Sequence, residues 1–178
     1  AFNKLYFRED DIVLNFNNLE SKYKFYNKCL YYLNLLLDYT DYNHETVEVL
    51  LEIINGITIK NADSDLGRIF FNKARYRQAA YYLNRSLKKG FIKDDLWFLG
   101  ETYYELKRYE EARDIYRKII FLDQENFQAN NRLKLLKLYK QRDRVIDKLY
   151  WEPENKELIK KLNLIKEMIT EFERGNRK

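Results

Sequence analysis

Two segments of this chain repeat one pattern of small and apolar residues at a separation of 33 positions, the distance from Leu66 to Leu99 and from Ala79 to Ala112. The first copy carries Leu66, Gly67, Tyr76, Ala79, Leu83 and Leu87, and the second carries Leu99, Gly100, Tyr109, Ala112, Tyr116 and Ile120. Repetition at this period is typical of stacked helical units, each of which buries its apolar face only against a neighbour. Such arrays present extended concave surfaces, so the repeat favours binding over catalysis.

The residues that break helices are rare in this chain. Its 178 residues include one Pro and five Gly, which predicts long helices with short connections. We therefore expect an all-α protein that forms a single helical domain over 1–178. Within it, 1–59 forms N-terminal helices, 60–126 the two repeats, and 127–178 a degenerate repeat with a C-terminal capping helix.

Apolar spacing and capping residues predict the helix boundaries. The spacing predicts one long helix from Asp10 to Tyr39, or two helices with a break near Asn27, and the next helix is expected to be capped by Asn43. Gly56 and Gly90 are expected to end helices in the left-handed conformation that glycine permits. In the last third of the chain, we expect a break before a short helix around Val145, and a final helix with Pro153 in its first turn.

The two copies resemble the tetratricopeptide repeat (TPR) family. The match is strong over 93–126 and good over 60–92. In each copy it rests on the Leu-Gly pair, the aromatic residues and the Ala. In the second copy, Trp97 and Tyr103 also match the family pattern. The resemblance implies a right-handed solenoid of helical hairpins. The small residues at Gly100 and Ala112 support it independently, because two helices that cross there can approach closely. The unit at 127–160 is degenerate, and the segment before 60 matches only loosely, as a cryptic repeat would.

In the TPR family, the first helix of each hairpin lines a concave groove that holds a peptide or a partner protein. The resemblance implies that eight positions here, called the predicted groove residues below, contact such a partner: Arg68, Phe71, Asn72, Trp97, Glu101, Tyr104, Glu105 and Asn131. Aromatic residues carry a large share of binding energy when a partner desolvates them. Two simpler alternatives remain open: Trp97 and Phe71 cover the hairpin core, and Arg68 forms a salt bridge with an acidic neighbour.

The chain carries a net charge of +5, but acidic and basic residues are interspersed along most of it. One basic cluster stands out, formed by Lys134, Lys137, Lys140, Arg142 and Arg144. A solvated helix face is the simpler interpretation. The alternative is RNA or anionic-surface binding through this region, although nucleic acid is not the partner we expect.

The chain offers few residues for catalysis. His44 is the only imidazole and lies in a polar turn, while Cys29 is the only thiol and lies in an apolar stretch, where it packs as a small hydrophobic residue. Neither Gly67 nor Gly100 belongs to a phosphate-binding loop. We therefore expect a non-enzymatic scaffold or adaptor without a cofactor or metal.

The last predicted helix carries apolar residues at alternating steps of four and three: Leu158, Leu162, Ile165, Ile169 and Phe172. This spacing suits either a capping helix packed on the array or a seam for self-association. No long apolar run predicts a transmembrane segment. The first residue, Ala1, leaves open both a processed envelope or periplasmic protein and a cytoplasmic one.

Overall fold

The computed structural model describes residues 18–40, 44–90 and 93–175, which form eight α-helices and no strand. The prediction of an all-α protein is therefore confirmed. The helices are α1 (Leu19–Tyr39), α2 (Glu45–Gly56), α3 (Ala62–Asn72), α4 (Tyr76–Lys89), α5 (Lys93–Glu105), α6 (Tyr109–Leu122), α7 (Phe127–Trp151) and α8 (Lys156–Gly175).

The chain divides into two compact units between Ile92 and Lys93, where one predicted repeat ends and the next begins. The N-terminal unit contains α1 to α4, and the C-terminal unit contains α5 to α8. Helices pack in consecutive pairs, α1 on α2, α3 on α4, α5 on α6 and α7 on α8, and α6 also packs on α7. The two predicted repeats thus form the hairpins α3–α4 and α5–α6.

Each of these two hairpins closes around a glycine. A Cβ atom added to Gly67 would lie 2.6 Å from Cγ of Leu83, and one added to Gly100 would lie 2.8 Å from Cε1 of Tyr116. Such distances are too short for carbon atoms in contact. The sequence-based explanation of Gly100, that a small residue allows two helices to approach, is therefore confirmed.

The turns inside the two hairpins share one geometry that the sequence did not predict. Ala74 and Lys107, which lie 33 residues apart, adopt left-handed φ angles of 54° and 59°. In the first turn, the amides of Ala74 and Arg75 donate to the carbonyls of Phe71 and Phe70; the amides of Lys107 and Arg108 donate likewise to Tyr104 and Tyr103. This is the Schellman arrangement for ending a helix, here without glycine.

The prediction that Gly56 and Gly90 adopt left-handed conformations is wrong, since no described glycine has a positive φ. Gly56 is the last residue of α2, and Gly90 follows α4 with an extended φ of 176°. The physical reason at Gly56 is that α2 continues into Ile57, which is extended, and at Gly90 that this residue is itself extended. The tight reversals occur instead at Ala74 and Lys107.

The N-terminal helix boundaries differ in part from those predicted. α1 begins at Leu19, where the side chain of Asn18 accepts a hydrogen bond from the Ser21 amide at 2.8 Å; the predicted start at Asp10 lies outside the described residues. The cap of α2 is His44, whose Nδ1 accepts from the Thr46 amide at 3.3 Å. Asn43, predicted as this cap, also lies outside the described residues.

The last third of the chain forms one hairpin of two long helices. The predicted break before Val145 is wrong, because α7 continues over 25 residues and Val145 is buried within it. Pro153 does not occupy the first turn of α8. It lies in the preceding turn, and Asn155 caps the helix by accepting from the Leu158 amide at 3.1 Å.

Candidate functional site

The predicted groove residues of the C-terminal unit lie on α5, except for Asn131 on α7. Trp97 is half-buried, and its ring lies 5.8 Å from that of Tyr116 on α6. This contact agrees with the interpretation that Trp97 covers the hairpin core. Glu105, at the C-terminal end of α5, is exposed.

Glu101 faces the interior rather than solvent, with 7% of its surface exposed. Its Oε1 accepts hydrogen bonds from Nε of Arg132 on α7 at 2.7 Å and from the hydroxyl of Tyr116 at 2.6 Å. Its other oxygen accepts from Nη2 of Arg132. Glu101 therefore joins three helices of the unit, and its charge is neutralised internally.

Burial and charge act together on the groups around Glu101. Burial and the neighbouring carboxylate both raise the pKa of Tyr116, which keeps its hydroxyl protonated as a donor. Burial lowers the pKa of Arg132, but the Glu101 hydrogen bond and charge more than offset it, so that the pKa is raised. The Arg132 guanidinium therefore stays charged beside the Glu101 carboxylate.

Tyr104 belongs to an aromatic cluster with Tyr109 on α6 and Tyr139 on α7, called the tyrosine cluster below. The rings of Tyr109 and Tyr139 stack at 5.1 Å, and the Tyr104 and Tyr139 hydroxyls lie 3.2 Å apart. The guanidinium of Arg132 lies 4.5 Å from the centre of the Tyr104 ring. These contacts fix the half-buried Tyr104 ring in one orientation.

Two charged residues complete the surroundings of the tyrosine cluster. The Tyr139 hydroxyl donates to Glu173 on α8, and the guanidinium of Arg142 lies 4.8 Å from the Tyr139 ring centre. Burial is the largest cause of the raised pKa of Tyr104, Tyr109 and Tyr139. Neither Arg132 nor Glu173 was predicted from the sequence, since neither belongs to a repeated position.

The N-terminal unit presents a corresponding arrangement on α3. Phe71 is half-buried, and its ring lies 5.8 Å from that of Tyr76 on α4, just as Tyr104 lies 5.9 Å from Tyr109. Asn72, the last residue of α3, is exposed like Glu105. The two hairpins therefore carry an aromatic pair and an exposed polar neighbour at equivalent positions, 33 residues apart.

The predicted groove residues thus differ in accessibility. Asn72 and Glu105 are exposed, while Arg68, Phe71, Trp97 and Tyr104 are half-buried. Glu101 and Asn131 are buried, the latter with 8% of its surface exposed. A partner would reach the ends of α3 and α5 more readily than their central turns.

The N-terminal unit also contains a buried acidic residue, Asp63, near the start of α3. Its carboxylate accepts from Nε of Arg85 at 2.6 Å and pairs with Nζ of Lys89 at 2.7 Å. Burial raises the pKa of Asp63, but hydrogen bonds and charges from the two cations outweigh it, so the pKa is lowered. Arg85 also donates to Asn55 at 2.7 Å, which connects α2 to the pair.

The basic cluster predicted from the sequence lies on α7. Lys140 pairs with Glu110 at 3.3 Å and Arg142 with Asp143 at 2.7 Å, whereas Lys134, Lys137 and Arg144 are exposed. On α8, the predicted apolar seam packs on α7, with Ile165 and Ile169 buried. Leu158, Leu162 and Phe172 are half-buried at its ends.

Reactive groups within the described residues are sparse. Cys29 is buried, and burial raises the pKa of its thiol. In the part of the chain that the structure describes, no three His, Cys, Asp or Glu side chains cluster so as to hold a metal ion. None of the described helices combines the length and apolar character needed to cross a membrane.

No protein-family model matches this chain, and no curated protein or solved structure matches it either.

Proposed function

We propose that this chain is a non-enzymatic scaffold or adaptor of the TPR type, in which α3 of the N-terminal unit and α5 of the C-terminal unit each present a surface that binds a segment of another protein. One observation carries the proposal. The hairpins α3–α4 and α5–α6 share their glycine contact, their left-handed turn and their aromatic pair, all related by the same 33-residue offset. Repeated hairpins of this kind are the building units of binding solenoids.

The side chains between the shared positions provide the recognition chemistry. Asn72 follows Phe71 at the end of α3, and Glu105 follows Tyr104 at the end of α5. Both are exposed, but Asn72 is a neutral amide and Glu105 is a carboxylate. Beside them, Phe71 and Tyr104 offer half-buried aromatic surface. Tyr104 is held by Arg132 and Tyr139, so its side chain loses little further entropy when a partner packs against it.

The states of the two most reactive side chains favour binding over catalysis. The Nδ1 atom of His44 already accepts a hydrogen bond from the helix end that it caps. The Cys29 thiol is buried and has a raised pKa, so little reactive thiolate forms at neutral pH. Among the described residues, none is placed beside His44 or Cys29 so as to activate a nucleophile.

A peptide selection tests this proposal. The full chain is immobilised, peptides are selected from a displayed random library, and their affinities are measured by fluorescence anisotropy. The double variant Asn72→Ala/Glu105→Arg should weaken the selected peptides about tenfold or more, because it alters both exposed recognition positions.

The matched control is Gln124→Ala/Glu125→Arg, which makes the same chemical changes at exposed positions in the connection between α6 and α7. It should leave the affinities unchanged. Equal losses in both variants, or selected peptides that bind the first variant as well as the wild type, would contradict binding along α3 and α5.

A further inference from the structure

One face of α7 carries a continuous line of exposed side chains that the proposed function does not use. It consists of Lys134, Lys137, Gln141, Arg144, Lys148 and Trp151, called the basic stripe below. The steps between them are three and four residues. At 3.6 residues per turn and 1.5 Å per residue, the six side chains lie within an arc of about 100° on the helix surface and extend over about 25 Å of its length.

The basic stripe coincides with the part of the chain that holds the net positive charge. Residues 127–178 contain fourteen basic and eight acidic residues, a net charge of +6, while 1–126 contain nineteen basic and twenty acidic residues, a net charge of −1. Within the described ranges, no acidic side chain pairs with Lys134, Lys137, Arg144 or Lys148. Their four charges therefore face solvent uncompensated.

The shape of the basic stripe restricts the ligand that it can bind. It is one side chain wide, and the exposed Asp143 and Asp147 follow one of its edges. An anionic membrane would approach these carboxylates as well as the cations. A single strand of nucleic acid would gain most from aromatic rings placed among the cations, but Gln141 occupies the centre and Trp151 the end.

A partner helix fits this geometry because two helices meet along a line of residues spaced three and four apart. Trp151 is 81% exposed and lies at one end of that line, where a large aromatic side chain can anchor an apolar residue. We propose that the basic stripe binds an amphipathic helix of a partner protein that carries Asp or Glu at steps of three and four, with an apolar residue against Trp151.

This interaction is separate from the proposed function. None of the predicted groove residues belongs to the basic stripe, so the two surfaces can succeed or fail independently. Because all six stripe positions are exposed, substitutions there should leave the packing of α7 intact. The two proposals are therefore distinguishable by mutation.

Two synthetic peptides of the same composition test the proposal with the full chain. The first, the in-phase peptide, is a helix of about three heptads with Glu at steps of three and four and Leu at both ends of the same face. The second, the scrambled peptide, distributes those residues around the helix. The in-phase peptide should bind about tenfold more tightly, and its affinity should fall as salt rises from 50 mM to 300 mM, since mobile ions screen exposed charges.

Protein variants locate the contact. Lys137→Glu/Arg144→Glu should abolish binding of the in-phase peptide, and a peptide with Lys only in place of the Glu residues that face positions 137 and 144 should restore it. Trp151→Ala should weaken binding while circular dichroism stays unchanged. Lys118→Glu/Lys166→Glu, which reverses two exposed lysines on α6 and α8, is the control and should bind normally.

Three results would overturn the proposal. The first is equal affinity for the two peptides, which would show that only net charge matters. The second is an equal loss in the control variant. The third is that single-stranded RNA or vesicles of anionic phospholipid bind more tightly than the in-phase peptide and lose binding in Lys137→Glu/Arg144→Glu, which would assign the basic stripe to that ligand instead.

Discussion

The guanidinium of Arg132 on α7 holds the carboxylate of Glu101 on α5 through two of its nitrogens, in a site that Tyr116 closes from α6. Because Glu101 is buried, removal of its cation would leave a charge without compensation in a region of low dielectric. This pair therefore determines which arrangement of the three helices is compatible with a stable core.

Arg132→Met should lower the free energy of unfolding by about 3–5 kcal/mol, since it leaves the Glu101 carboxylate buried without its cation. Adding Glu101→Leu should recover part of this loss, because the second change removes the orphaned charge. Denaturant titrations of the two single variants and the double variant measure the coupling. Strictly additive losses would show that the residues do not act as a pair.

Gly100→Ala should destabilise the chain by about 1–3 kcal/mol, because the new methyl group meets the Tyr116 ring at 2.8 Å. Gly56→Ala is the matched control, since nothing lies within 4 Å of a Cβ at that position. It lies in α2, where alanine is the better helix former, so its effect should be neutral or stabilising by up to about 1 kcal/mol. Thermal and denaturant unfolding compare the two variants.

Lys107→Gly should stabilise the chain by about 1 kcal/mol, because it relieves the left-handed strain at φ 59° in the α5–α6 turn. Lys118→Gly, within α6, should instead cost about 1 kcal/mol. The contrast is measured by denaturant unfolding. A loss of stability in Lys107→Gly would show that the lysine side chain contributes more than its backbone costs.

The stability of the chain should fall in acid partly through Asp63. Its pKa is lower in the folded state than in the unfolded chain, so ionised Asp63 stabilises the fold at pH values above about 4, and this contribution is lost as pH falls through the folded pKa. Asp63→Asn should therefore be clearly destabilising at pH 7, with a difference from the wild type that shrinks below about pH 4. A difference independent of pH would contradict this role.

The sequence predicted those features that depend on residues close in the chain or repeated at a fixed offset. Helical spacing located most helices, and the repeat located the glycine contacts at Gly67 and Gly100. Both signals are local or periodic, so they can be recognised without knowledge of tertiary contacts.

Features determined by distant partners could not be predicted in this way. Glu101 was expected to line a groove, but its side chain pairs with Arg132. That residue lies 31 positions away, in the degenerate repeat. The left-handed residues were expected at glycines, although packing of the hairpins imposes that conformation on Ala74 and Lys107. No helix-breaking residue precedes Val145 within α7, and the helix accordingly continues through it, with the Val145 side chain buried.

The space above each hairpin glycine is filled by a different type of side chain in the two hairpins. Leu83 fills the space at Gly67, and Tyr116 fills the equivalent space at Gly100. Only the tyrosine has a hydroxyl that reaches Glu101, and the position equivalent to Glu101 in the first hairpin is Arg68. The two hairpins therefore differ at this contact by one aliphatic-to-aromatic exchange and one change of charge, and in the second hairpin Arg132 on α7 completes the polar network.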